Sequence, residues 1–255
     1  MTTRDWDART YERISDPMFE WGIEVLERLP LAGDETVLDA GCGSGRVTAK
    51  LLERLPRGHV VAVDASTSMV EEARAALDPE RTTAFAADLQ ELELDEPVDA
   101  VISTAVFHWI PDHDRLFTRL HAALRPGGRL EAQCGGAGNL AGFHGAGLDE
   151  VAAQEPFVPS FEGWEGPWNF SSPERATASL ERAGFADVRC WLETRVVNPP
   201  DPREFLRVVC LGHHLERLPE DLRDPFVDAV LARAGKPVEL DYVRLNISAA
   251  KSQFS

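Results

Sequence analysis

Short apolar runs alternate along the chain with stripes of apolar residues at helical spacing. The runs Thr36–Asp39, His59–Val63, Thr83–Ala86, Val98–Ser103 and Gly128–Cys134 have the length of buried strands. Set among them, Gly45–Leu55, Ser66–Leu77 and Asp112–Leu124 read as helices, with Ser66 as an N-cap. Ahead of these, Met18–Leu29 places Phe19, Ile23, Val25 and Leu26 on one helical face, and Trp21 is expected in the core. The second half is less regular. Residues 135–172 hold eight of the chain's 19 glycines together with Trp164 and Trp168, the composition of a long excursion rather than of a sheet element. A helix then starts at Ser172-Pro173-Glu174, a capping serine with proline at the first helical position, and stops at Gly184. Val188–Val196 is the sixth strand. Helices follow over Pro202–Leu215 and Glu220–Ala234, and Leu240–Ala249 is the seventh strand.

Strand and helix taking turns in this way predicts an α/β fold, with a doubly wound, mostly parallel seven-stranded sheet and helical cap insertions. No repeat, low-complexity tract or linker interrupts the chain. One domain is expected over residues 1–255, with a core of about 35–134, 173–196 and 239–249 and cap segments of about 1–30, 135–172 and 197–235. Ligands of open parallel sheets sit at the carboxyl ends of the strands. The segments 135–172 and 197–235 leave that end of strands five and six, so both are expected to roof the ligand.

Composition narrows the partners. The 255 residues contain 26 Lys+Arg against 43 Asp+Glu, a formal charge of −17. Such a surface repels nucleic acid and anionic membranes and leaves a small molecule as the expected partner. Only Lys50, Lys236 and Lys251 are lysines, so Arg carries the positive charge. Cys42, Cys134, Cys190 and Cys210 are scattered with no CxxC pair, which favours neither a zinc site nor a disulfide framework, and no metal is expected. No apolar leader follows the first residues, and no stretch reaches the roughly 18 apolar residues of a spanning helix. A cytoplasmic monomer or homodimer is expected.

The sharpest chemical signal is Val37-Leu38-Asp39-Ala40-Gly41-Cys42-Gly43-Ser44-Gly45, set between a strand and a helix. Glycines there let backbone approach a ligand and turn into the helix. The spacing is GxGxG rather than the GxGxxG of dinucleotide sites. The next strand ends in Asp64, where a carboxylate can accept both hydroxyls of a ribose. Asp88 follows the third strand, and Pro126-Gly127-Gly128 turns into the fifth.

Together these features resemble the class I S-adenosylmethionine-dependent methyltransferases over roughly residues 35–134. The resemblance implies a Rossmann-like fold and S-adenosyl-L-methionine as cofactor. It also implies that Gly41, Cys42 and Gly43 contact the methionine part through backbone and that Asp39 orients its ammonium. Asp64 would then take the ribose, Ala65 and Met69 the adenine faces, and Asp88 and Leu89 its edge, with Thr104 and Ala105 approaching the sulfonium. Ala105-Val106-Phe107-His108-Trp109-Ile110-Pro111-Asp112-His113, Trp6-Asp7 with Tyr11, and Tyr242-Val243-Arg244-Leu245 are similar to segments of the trans-aconitate methyltransferases. Malonyl-acyl-carrier-protein O-methyltransferases carry comparable motifs. Both families esterify carboxylates, so O-methylation of a small carboxylate is the expected activity. Methylation of oxygen, nitrogen or carbon on another small metabolite is the alternative. Outside the class stand a nicotinamide-dependent dehydrogenase, which GxGxG with Asp39 and Asp88 disfavours, and a non-catalytic cofactor-binding protein.

Further candidates follow from position. Tyr11 is expected on the cofactor side, as the resemblance implies for an N-terminal helix. His108 is expected near the transferring methyl in a positioning role, because a carboxylate with a pKa near about 4 is already ionised at neutral pH and needs no base. Trp109, Trp164, Trp168, Arg207 and Arg244 are the candidates for contacting an anionic substrate, and Arg46 stands beside the glycine loop. His113 and His121 are expected to face solvent.

Overall fold

The computed structural model describes residues 16–253. Helix α1 (Asp16–Arg28) leads into β1 (Thr36–Ala40), α2 (Arg46–Arg54), β2 (His59–Asp64), α3 (Thr67–Ala76), β3 (Thr82–Ala86), β4 (Val98–Thr104), α4 (His113–Ala123) and β5 (Leu124–Gly135). An excursion follows, then α5 (Pro173–Arg182), β6 (Phe185–Val197), α6 (Glu220–Arg233) and β7 (Leu240–Lys251). The seven strands form one sheet in the order β3-β2-β1-β4-β5-β7-β6. β1 lies parallel to β2 and β4, β2 to β3 and β4 to β5, whereas β7 runs antiparallel to β5. The chain thus forms the expected mostly parallel, seven-stranded Rossmann-like sheet. Its strand order reverses between β1 and β4, which makes the carboxyl ends of those two strands the natural ligand position.

β1 shows why the middle of the sheet lacks polar alternation. Leu38 packs with Phe107, Phe117, Leu130, Leu180 and Ile247 on one face, while Val37 packs with Val25, Leu29, Leu51, Val60 and Ile102 on the other. Successive side chains of a strand point to opposite faces, and helices cover both here. Three helices begin at side chains that accept from the third residue on: Ser66 from the Met69 N–H, Asp112 from Arg115 and Ser172 from Arg175. Each satisfies a backbone donor that the first turn leaves open.

The inward face of α1 keeps Val25 and Leu26 of the expected one but not Phe19 and Ile23. Met18, Trp21, Val25, Leu26 and Leu29 are buried, whereas Phe19 and Ile23 are half-buried. Gly22 sets this choice. A Cβ there would stand 2.7 Å from Val47 and 3.6 Å from the Thr104 hydroxyl, so α1 rests by its bare glycine on α2 and on the end of β4. Arg28, in the last turn of α1, donates to Asn246 Oδ1 (2.7 Å), the Ala132 carbonyl (3.2 Å) and Glu131 Oε2 (3.3 Å). One guanidinium therefore ties α1 to β5 and β7.

The described residues divide into two compact units. The first holds those up to Ala137, Asn169–Glu193 and those from Arg244 onward, and the second holds Gly138–Trp168 and Thr194–Val243. In it the single helix expected over Pro202–Leu215 is broken: Pro202–Phe205 is α-helical, Leu206–Cys210 is a wider π-turn, and Gly212–Arg217 is α-helical again. His144–Asp149 forms a second π-turn. Among the described residues no helix is long and apolar enough to cross a membrane.

Candidate active site

The glycine loop is built on left-handed backbone, with φ of 91° at Gly41, 54° at Gly43 and 88° at Gly45. Gly41 is required twice over, since a Cβ there would also stand 2.1 Å from a Val106 methyl. Val106 lies just beyond β4, so this contact brings the loops after β1 and β4 together. The N–H groups of Gly41 and Cys42 both donate to the Val63 carbonyl, at 2.7 and 3.0 Å. These two donors hold the loop to β2, so what the two residues can offer a ligand is carbonyl oxygen. The side of Gly43 where a Cβ would stand faces open space.

Two carboxylates flank the loop. Asp39 is buried, and its Oδ2 accepts from Thr48 Oγ1 at 2.6 Å. Burial pushes its carboxyl up to about 6, against the Thr48 hydrogen bond and with a further upward push from the charge of Asp64. Asp64 accepts from the Gly43 N–H (2.9 Å) and the Ser66 N–H (2.9 Å), joining the loop to the start of α3. Its carboxyl is also raised by burial, despite those backbone donors. Ala65 beside it is exposed and Met69 is buried. At the end of β3, Leu89 is buried, while Asp88 is exposed and accepts from the Gln90 N–H at 2.8 Å.

β4 brings Thr104, half-buried, and Ala105, held in left-handed backbone with φ 60°. That conformation is strained for a residue with a Cβ, and the Ala105 N–H donates to the Gln133 carbonyl at 2.8 Å. His108 follows in a short 3₁₀ turn, Phe107–Trp109. It is buried, and its Nδ1 accepts from the Gly135 N–H at 3.2 Å. The neutral imidazole therefore carries its proton on Nε2. Trp109 and Phe170 pack against it, with ring centroids 4.8 and 6.0 Å away.

Arg244 stands opposite Gly135 in the β5–β7 register, two residues beyond the Gln133–Asn246 pair. Only 3% of it is exposed, its guanidinium lies 5.0 Å from the Trp21 ring, and its Nε donates to Gln133 Oε1 at 3.4 Å. Gln133 in turn donates to Asn246 Oδ1 at 2.9 Å. Gln133 pairs with Thr104 across β4 and β5, so a buried cation, a primary amide and His108 share the carboxyl end of the sheet.

Other candidates lie elsewhere. Arg207 forms an ion pair with Asp224, which also pairs with Arg203 at 3.0 Å. Trp164 and Trp168 pack on His214, with centroids 4.7 and 5.3 Å away, inside the second unit. Burial lowers His214 to about 3. Arg46 lies 4.4 Å over the Phe19 ring. Tyr11, with Trp6 and Asp7, falls outside the described residues. His113 does not face solvent: it is buried, with Nε2 2.9 Å from the Phe107 carbonyl, where it braces the turn that carries His108. His121 is half-buried against Phe185. Sequence reasoning missed Gly22, Thr48, Val106 and Gln133. A lone glycine inside an apolar helical stripe is a readable sign of close packing; the other three act through contacts that no local pattern announces.

Residues 37–128 match the methyltransferase domain family. The chain is 31% identical over 242 residues to the trans-aconitate 2-methyltransferase of Methylobacterium radiotolerans, covering 88% of this chain and 87% of that one. The chain belongs to the class I S-adenosylmethionine-dependent methyltransferases. Within them it resembles the trans-aconitate 2-methyltransferase family. It is 41% identical to the Azoarcus enzyme over 128 residues, which is half of each chain. A solved structure of Haemonchus contortus phosphoethanolamine N-methyltransferase 2 in complex with S-adenosyl-L-methionine shares the fold, with a TM-score of 0.62 and 22% identity. That match covers 96% of this chain and 57% of that one. This methyltransferase takes S-adenosylmethionine as its cofactor, and the residues present fit it. Neither Asp39 nor Asp64 forms an ion pair with a described residue. Two such carboxylates beside an open glycine loop suit a ligand bearing an ammonium, a sulfonium and a ribose diol.

Proposed function

We propose that this methyltransferase esterifies a small organic acid, transferring the methyl group to a carboxylate oxygen. Arg244 carries the reading. It is a buried cation in a protein of formal charge −17, at the sheet end where the acceptor must arrive. A guanidinium can hold one carboxylate of a polyacid by two parallel hydrogen bonds and leave another to react. Arg207 forms an ion pair with Asp224. The trans-aconitate methyltransferase relatives support the same acceptor class.

Asp64 would hold the ribose and Asp39 the ammonium, with the Gly41, Cys42 and Gly43 backbone along the methionine part. Ala65 and Met69 would cover the adenine, and Asp88 and Leu89 its edge. Bound S-adenosylmethionine supplies a methyl group on a positively charged sulfur. A carboxylate acceptor arrives ionised, so the chain has no proton to remove. Its work is to bring two reactants into line, an effect worth up to about 7–11 kcal/mol. Thr104 and Ala105 would border the sulfur. His108 would stand beside the acceptor in a positioning role.

Methyl-labelled S-adenosylmethionine tests the reading against panels of small acids, phenols and amines, with products identified by mass spectrometry. Label is expected in acids alone, and Arg244→Gln is expected to raise KM for the acid more than it lowers kcat. Label confined to phenols or amines would contradict the proposal.

A further inference from the structure

β6 closes one side of the sheet, with β7 as its neighbour, and at 13 residues it is the longest strand. The two exposed large hydrophobic side chains of the described chain, Leu192 and Val196, both stand on it, 39% and 60% exposed. An edge of this length invites pairing with another strand unless charge or proline blocks it. The charges on β6 are Asp187, Arg189, Glu193 and Arg195, which sum to zero in an otherwise strongly acidic protein. We infer that β6 pairs antiparallel with β6 of a second copy, about a two-fold axis at Trp191, joining two sheets edge to edge.

The order of charges selects both the partner and the register. With Trp191 opposite Trp191, Arg189 of each copy faces Glu193 of the other, and Asp187 faces Arg195. Residues two apart share a face, so these pairs and the tryptophans lie together on one side. That side is already ordered within one copy: Arg189 and Arg28 stack 5.8 and 5.2 Å from the Trp191 ring, and Trp191 Nε1 donates to Glu193 Oε1 at 3.1 Å. On the opposite side Leu192 meets Cys190, so an exposed hydrophobic gains an apolar partner. Sliding the partner by two residues is the smallest move that keeps each face in place. In one direction it sets Asp187 against Glu193, and in the other Arg189 against Arg195, so like charges reject both neighbouring registers. The left-handed backbone at Asp187, φ 51°, bounds the regular stretch on that side.

Sedimentation velocity of the full chain from micromolar to sub-millimolar concentration tests this. It reads neither cofactor nor acceptor, so its outcome is separate from that of the methylation assays. A reversible dimer is expected. Arg189→Glu and Glu193→Arg should each weaken it by about tenfold or more, because each reversal creates two like-charged pairs per dimer. The double variant restores both pairs and should dimerise like the parent. Trp191→Cys should cross-link two copies at position 191 under mild oxidation, since opposed residues of antiparallel strands lie within disulfide reach. A monomer throughout, single reversals without effect, a double variant no tighter than the singles, or no cross-link at position 191 would each overturn the inference.

Discussion

Asp39 keeps its carboxyl inside the protein with one hydroxyl as hydrogen-bond partner, and burial raises it to about 6. Its protonated form therefore persists to higher pH in the folded, unliganded protein than in the unfolded chain. Stability drawn from that proton is complete below the ordinary carboxylate value of 3.8 and is lost as pH rises through about 6. The parent should lose stability relative to Asp39→Asn between pH 4 and 7, as read by urea unfolding at both ends of the window. A cationic ligand beside Asp39 favours the ionised form, so affinity for S-adenosylmethionine should fall as pH drops below about 6 in the parent and fall less steeply in Asp39→Asn, where only Asp64 still titrates. On the proposed assignment Asp64 carries a larger share of binding. Asp64→Ala should weaken S-adenosylmethionine by at least about tenfold in calorimetry, the loss of a charge-assisted contact of about 1.5–3 kcal/mol. Equal affinity for parent and variant would remove the ribose assignment. Asp88→Ala should matter less, because Asp88 is exposed and its carboxylate already serves the Gln90 N–H.

The elements that position these residues depend on two contacts. Gly41→Ala would place a methyl against Val106 and force φ 91° on a residue with a Cβ. It should destabilise the protein by about 1–3 kcal/mol and weaken cofactor binding, with partial recovery in Gly41→Ala/Val106→Ala, where the clash is relieved and the backbone strain stays. Arg28→Ala should lower stability by about 1.5–3 kcal/mol, because the buried Glu131 carboxylate loses its ion pair and is left with the Ser248 hydroxyl. Adding Glu131→Gln should return part of that loss, and strict additivity of the two substitutions would argue against the tie. Much at this scale was legible in the sequence. Ser66, Asp112 and Ser172 cap helices by local chemistry, and β1 to β5 lie within a few residues of their expected limits because apolar runs and caps are local signals. The inward face of α1 was legible only in part, since it follows from Gly22 meeting Val47 and Thr104 far along the chain. His113 was misread because a histidine on an amphipathic helix looks exposed until the Phe107 carbonyl is seen to hold it.

At the scale of the whole molecule, the parallel sheet was legible in strand–helix alternation, and the cofactor in the glycine loop with three acids at strand ends. The second unit was not. Its π-turns at His144–Asp149 and Leu206–Cys210 insert a residue into the helical repeat, which no 3.6-residue pattern shows. The setting of Arg244 also resisted the sequence, because it lies more than a hundred residues from the Gln133 and Trp21 that hold it. The central claim is transfer to a carboxylate, and one measurement bears on it most directly: the pH–rate profile with the best acceptor, read as alkali-labile methyl label. An acid acceptor stays ionised across the range, so the rate should be nearly flat from about pH 6 to 8. His108→Asn should lose less than the roughly 10²–10⁴-fold typical of removing a general base, and mild alkali should release the label as methanol. A rate rising tenfold per pH unit, abolished in His108→Asn and yielding an alkali-stable product, would contradict the claim and identify a protonated acceptor.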